Sequence, residues 1–111
     1  MLKSAGLNVA IGGNIGQSFA KQVALSDVDF YVLEISSFQL DNCYNFRPNI
    51  GILVNISPDH LDRYDYKMAN YVASKFRITQ SQTESDLFIY NTENEPMQNW
   101  LKANKIAAKK Y

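Results

Sequence analysis

The 111-residue chain has one cysteine, one histidine, three prolines and no excess of either charge. A lone Cys43 excludes an intrachain disulfide. With no disulfide framework and no secretory apolar segment, a cytoplasmic location is expected. Apolar runs such as Phe30 to Leu33 fall far short of the roughly 20 residues that span a bilayer, so no membrane partner is expected. Eleven basic residues balance eleven acidic ones. That balance disfavours a nucleic-acid partner, because neutralising phosphates needs a clear Lys/Arg excess. It also excludes an acidic disordered tail. No repeat or low-complexity segment occurs. Neither G-x-x-x-x-G-K-[ST] nor G-x-G-x-x-G is present.

The 46% hydrophobic content suffices for one domain and is too little for two. Lys102, Lys105, Lys109 and Lys110 cluster without an acid and read as a solvated helix end and the start of a strand. Gly6 fits the cap of a helix end at Leu2 to Ala5. Asn8 to Ile11 reads as a strand, followed by the turn Gly12-Gly13-Asn14 and a helix from Ile15 to Leu25 with Phe19 and Val23 on its apolar face. Ser26-Asp27 break the chain. Phe30 to Ile35 and Ile50 to Ile56 read as strands buried on both faces. Ser36 to Asn45 is a loop with room for one helical turn. Asp65 is placed to cap a helix from Tyr66 to about Thr79. Asp86 to Tyr90 is a strand, Glu95 to Ala103 a helix with Pro96 in its first turn, and Ile106 to Tyr111 a further strand. This alternation predicts an α/β fold with a doubly wound, mostly parallel sheet. Ligands of such sheets bind beyond the carboxyl ends of the strands. The first residues read as the last turn of a helix and the last ones as a strand just beginning. Both ends are therefore expected to fall inside a larger domain.

The chemistry-bearing residues follow strand ends. Glu34 closes an apolar run, and a buried carboxylate needs a metal, a base or a row of backbone N–H groups. It suits Mg²⁺ beside a nucleotide phosphate, or else a solvated edge with Ser36 or Ser37 as partner. His60 is grouped with Asp59, Asp62 and Arg63, and suits a metal, a phosphate or an ordinary surface turn. Lys75 falls within the stripe formed by Met68, Tyr71, Val72, Phe76 and Ile78. It reads as a snorkelling lysine or as an amine that takes up CO₂ to form a metal-binding carbamate. Asn14 offers a donor and an acceptor on a glycine-rich turn.

Four segments resemble the Mur ligase family, in particular the central ATP-binding domain of its D-glutamate-adding branch. They are Gly12-Gly13-Asn14-Ile15-Gly16, Leu33-Glu34-Ile35-Ser36-Ser37-Phe38-Gln39-Leu40, Asn55-Ile56-Ser57-Pro58-Asp59-His60-Leu61-Asp62-Arg63-Tyr64 and Ala73-Ser74-Lys75-Phe76-Arg77-Ile78. They occur in the family's order and spacing over nearly the whole chain. The resemblance implies that residues 1–111 are part of a P-loop-type, three-layer central domain whose first strand and P-loop lie outside them. It implies an amide-bond ligase using ATP and Mg²⁺, with UDP-N-acetylmuramoyl-L-alanine and D-glutamate as partners. In that reaction an acyl phosphate forms on the alanyl carboxylate, and the amine of D-glutamate displaces the phosphate.

The site roles follow from the same resemblance. Glu34 and His60 would hold Mg²⁺, and Lys75 would support the second ion as its carbamate. Asn14 would meet the substrate or the phosphates. Ser36, Gln39 and His60 would place the UDP-sugar. His60 and Lys75 would be the catalytic pair. The alternatives are a ligase adding another amino acid, or a non-catalytic nucleotide- or sugar-binding module. Without a P-loop to cradle phosphates, the 111-residue polypeptide alone is expected to bind ATP weakly and to be inactive. The intact enzyme is expected to be a monomer, whereas unpaired strand edges should make the isolated polypeptide self-associate.

Overall fold

The computed structural model describes residues 1–25 and 27–111. Ser26, half of the break expected after the first helix, lies outside them. The chain forms two units, Met1–Ser36 and Ser37–Tyr111, and the parallel pairing expected from the sequence falls in two sheets, one in each.

In the first unit, strand β1 (Val9–Gly13) leads through helix α1 (Phe19–Leu25) to strand β2 (Phe30–Glu34). The strands are parallel, in register from Val9 opposite Phe30 to Gly13 opposite Glu34. Asn8 fixes that register: its N–H donates to Asp29 Oδ2 at 2.8 Å and its side chain to the Asp27 carbonyl at 3.0 Å. The expected helix start at Ile15 is corrected to Phe19. Gly16 takes a φ of 73°, and Gln17 still bridges to Gly12, so neither is helical. Ser18 then caps α1, its Oγ accepting the Lys21 N–H at 3.2 Å. Burial departs further from expectation. Phe30 and Val32 are each 43% exposed and α1 buries no residue, so β2 is not covered on both faces.

The second unit holds a three-stranded parallel sheet of β3 (Ile50–Leu53), β4 (Leu87–Tyr90) and β5 (Lys109–Lys110), in the order β3-β4-β5. Helix α2 (Ser37–Asp41) is the single turn allowed for in the loop before it. Helices α3 (Met68–Phe76) and α4 (Glu95–Ala103) follow β3 and β4. The α4 bounds match expectation, because Asn94 accepts the Met97 N–H and Pro96 sits in the first turn. The same Asn94 amide donates to Asn55 and to the Ile56 carbonyl, which holds the loop after β3. The helix expected at Tyr66 begins at Met68 instead, and Asp65 is not its cap. Asp65 and Tyr66 have φ of 55° and 54°, a left-handed backbone that no α-helix includes. Asp65 instead closes the 3₁₀ turn Leu61–Tyr64 through its N–H to the Leu61 carbonyl. Arg77–Thr79 continue α3 as a 3₁₀ turn.

The core lies in this unit. Phe76, Phe88, Met97, Tyr71, Val72 and Ile56 are buried, and the Phe76 ring stacks on Trp100 at 3.9 Å. Strand β3 buries alternate residues only, leaving Ile50 and Ile52 exposed, which again corrects the expectation of two covered faces.

Arg47, just before β3, reaches Asp86, just before β4. Its Nε meets Oδ2 at 2.8 Å and its Nη2 meets Oδ1 at 3.3 Å. Thr83 donates its N–H to the same Oδ2 at 2.7 Å. The guanidinium first, then the Thr83 N–H, hold the Asp86 carboxyl below its ordinary value. A carboxyl held low in the fold stabilises it above the unfolded value of about 3.9, and the gain is lost as pH falls through the lower folded value. Asp86→Asn is therefore expected to lower the urea midpoint at pH 7. The deficit should shrink steadily below about pH 4. An equal deficit at pH 7 and pH 2 would count against the assignment.

Candidate active site

In the first unit, the turn after β1 lies directly against the carboxyl end of β2. Gly13 has a φ of 107°, and a Cβ there would sit 2.2 Å from the Glu34 carbonyl oxygen. A Cβ on Gly12 would sit 2.5 Å from the Gln17 carbonyl oxygen. Glycine is required at both positions because backbone occupies the space a side chain needs. The Asn14 N–H donates to the Glu34 carbonyl at 2.8 Å. The structure thus brings together two expected site residues, Asn14 and Glu34. The Glu34 carboxylate is exposed rather than buried, because β2 has an uncovered face. It stands at the carboxyl end of the strand, where ligands of parallel sheets bind. Ser36 follows, half-buried, as the last residue of the unit.

In the second unit, α2 carries Phe38 and Gln39, the loop after β3 leads to His60, and α3 carries Lys75. His60 has a φ of 48°, unusual for a residue with a side chain, and precedes the 3₁₀ turn Leu61–Tyr64. Its imidazole is half exposed, with Nε2 3.4 Å from Asp59 Oδ2. One ring edge meets Phe38, with centroids 5.3 Å apart at 64°. Phe38 also stacks on Tyr64 at 6.1 Å and lies under the Arg63 guanidinium at 4.5 Å. The Lys75 stem is half-buried and its ammonium lies 5.1 Å from the Tyr71 ring centroid, one helical turn earlier. Among the described residues, His60 and Lys75 form no hydrogen bond or ion pair with each other.

Sequence reasoning missed a polar cluster beneath these residues. Asp41 Oδ2 accepts the Tyr64 hydroxyl at 2.9 Å, and Asp41 Oδ1 accepts the Ser74 hydroxyl at 2.6 Å. Arg77, from the turn after α3, donates to the Leu40 carbonyl at 2.8 Å and caps α2. The available signal was Ser74, a polar residue inside the apolar stripe of α3 that needs a partner once buried.

The Mur ligase middle domain, as a family model, matches residues 5–111. A protein of Christiangramia forsetii is 54% identical over 110 residues, covering 99% of this chain and 25% of that protein. One of Bacteroides fragilis is 55% identical over 111 residues, covering 100% of this chain and 25% of its own length. One of Bacteroides thetaiotaomicron is 62% identical over 90 residues, or 81% of this chain and 20% of that protein. Each of the three is named UDP-N-acetylmuramoylalanine--D-glutamate ligase. The chain spans about a quarter of the length of the first two relatives. On the match of the middle-domain model to residues 5–111 and on these relatives, the chain belongs to the Mur ligase family.

Proposed function

We propose that residues 1–111 are part of the central, ATP-binding domain of a cytoplasmic ligase that joins D-glutamate to UDP-N-acetylmuramoyl-L-alanine in peptidoglycan precursor synthesis. The observation that carries this reading is the identity of 54–62% to proteins named for that reaction. In the reaction, a phosphoryl group moves from ATP to the alanyl carboxylate. The amine of D-glutamate then attacks the carbonyl carbon, and phosphate leaves as the amide forms. Such transfers depend on positioning and on neutralising charge.

Glu34 offers hard carboxylate oxygens at an open strand end, a donor type that suits Mg²⁺. His60 offers nitrogen, with the Asp59 carboxylate 3.4 Å away as an oxygen donor. These residues would hold Mg²⁺, which when bound neutralises charge on the transferring phosphoryl group. Lys75, once its ammonium has given up a proton, would add CO₂ through the neutral amine and release a second proton, to present carbamate oxygens toward the second ion. Asn14 binds the substrate or phosphate region through its amide, and Ser36, Gln39 and His60 place the UDP-sugar.

In the full-length protein, phosphate release from ATP in the presence of UDP-N-acetylmuramoyl-L-alanine is expected to require D-glutamate. Lys75→Ala is expected to lower kcat by about 10²-fold or more, the range for losing one preorganised electrostatic group. Phosphate release that ignores D-glutamate and responds to another amino acid would replace the substrate assignment. No phosphate release with any amino acid would favour the non-catalytic binding module.

A further inference from the structure

We propose that Asp41 is a positioning residue for this site: its carboxylate gathers two hydroxyls and so sets how α2, the His60 turn and α3 stand against one another. The roles of Gln39, His60 and Lys75 rest on the ligase reading, whereas the tie between their segments rests on geometry within the Ser37–Tyr111 unit.

Asp41 ends α2, two residues after Gln39. Tyr64 ends the 3₁₀ turn that His60 begins, and Ser74 immediately precedes Lys75. Each hydroxyl has one proton to give, and the carboxylate is the nearest acceptor to both, Oδ2 at 2.9 Å from Tyr64 Oη and Oδ1 at 2.6 Å from Ser74 Oγ. Hydrogen bonds to an ionised acceptor are short and roughly twice as strong as neutral ones. Burial pushes the Tyr64 phenol above its ordinary value. With Tyr64 fixed, its ring stays stacked on Phe38 at 12°, and Phe38 meets the edge of His60. One carboxylate therefore orients three segments, each bearing a residue of the proposed site.

The surroundings also predict that losing Asp41 leaves the fold intact. Tyr64 Oη is 3.1 Å from Ser74 Oγ, and Ser74 Oγ is 3.2 Å from the Ser37 carbonyl. Without the carboxylate, Tyr64 can donate to Ser74 and Ser74 to Ser37. The hydroxyls stay satisfied, but the end of α2 loses its anchor.

The test is the ¹H–¹³C resonance of the His60 ring in the 111-residue chain at fixed pH, displaced from its random-coil position by the Phe38 ring. Asp41→Ala is expected to return it most of the way, whereas Leu101→Ala, which perturbs packing on α4, leaves it in place. An unmoved resonance in Asp41→Ala, or an equal movement in both variants, overturns the proposal. Should Asp41→Ala fail to fold, Tyr64→Phe and Ser74→Ala each delete one donor and keep the packing. Each should then move the resonance part of the way, and no movement in either overturns the proposal. In the full-length ligase, Asp41→Ala should lower kcat about 10- to 100-fold, the cost of misplacing reacting groups by an ångström or less, with the KM for ATP unchanged. A moved resonance in a protein without ligase activity supports the positioning role and defeats the ligase reading alone.

Discussion

Replacing Phe88 with alanine is expected to cost the Ser37–Tyr111 unit about a quarter or more of its stability. Phe88 is 0% exposed at the centre of β4, the middle strand of its sheet. Its ring packs on Phe76 at 5.7 Å and on Tyr90 at 5.6 Å, and Phe76 in turn stacks on Trp100. Removing it takes away the transfer gain of a buried aromatic and leaves a cavity between α3 and the sheet. Such losses cost about 3–5 kcal/mol. At roughly 0.05–0.15 kcal/mol per residue, a unit of this size holds only about 4–11 kcal/mol in total. The internal control is Ile52→Ala on the neighbouring strand. Ile52 is 53% exposed, so its truncation is expected to cost within about 0.5 kcal/mol. Urea unfolding followed by circular dichroism separates the two. Similar midpoints for both variants would mean that the core is not where the burial pattern places it.

The contrast between Phe88 and Ile52 also shows where the sequence becomes ambiguous. Both belong to short apolar runs, and such a run marks a strand without saying whether a second layer covers each face. Phe30, Val32, Ile50 and Ile52 were therefore expected inside and are exposed. Helix ends with a local signal were legible, as at Asn94 and Pro96. Ends decided by backbone hand were not: Gly16 delays α1, and the left-handed Asp65 and Tyr66 delay α3. The site divides in the same way. Asn14, Glu34 and His60 could be placed because strand ends are visible in the hydrophobic pattern. Asp41 and Ser74 could not, because their partnership spans 33 residues of chain and no periodicity encodes it.

Gly13→Ala is expected to open the carboxyl end of the β1–β2 pair, whereas Gly6→Ala should leave that end in place. Both glycines have positive φ, 107° and 80°, so alanine is strained at either. A residue held in a disfavoured backbone region costs about 1–3 kcal/mol. The difference lies in the surroundings. A Cβ on Gly6 meets nothing within 4 Å, whereas one on Gly13 meets the Glu34 carbonyl oxygen at 2.2 Å. That oxygen is backbone and cannot rotate away, so the end of β2 must move. The Asn14 N–H then loses its 2.8 Å bond to the same carbonyl, adding about 0.5–1.5 kcal/mol. Ala10 is the buried apolar side chain among the described residues of this unit, so little packing resists the opening. Amide exchange at Asn14 should be accelerated strongly by Gly13→Ala and hardly by Gly6→Ala. In the full-length protein, moving Glu34 should also raise the Mg²⁺ concentration needed for half-maximal activity, while Gly6→Ala leaves it unchanged. Unaltered exchange at Asn14 in Gly13→Ala would show that the turn does not hold the end of β2. Accelerated exchange with an unaltered Mg²⁺ requirement would leave the turn in place and remove Glu34 from the metal site.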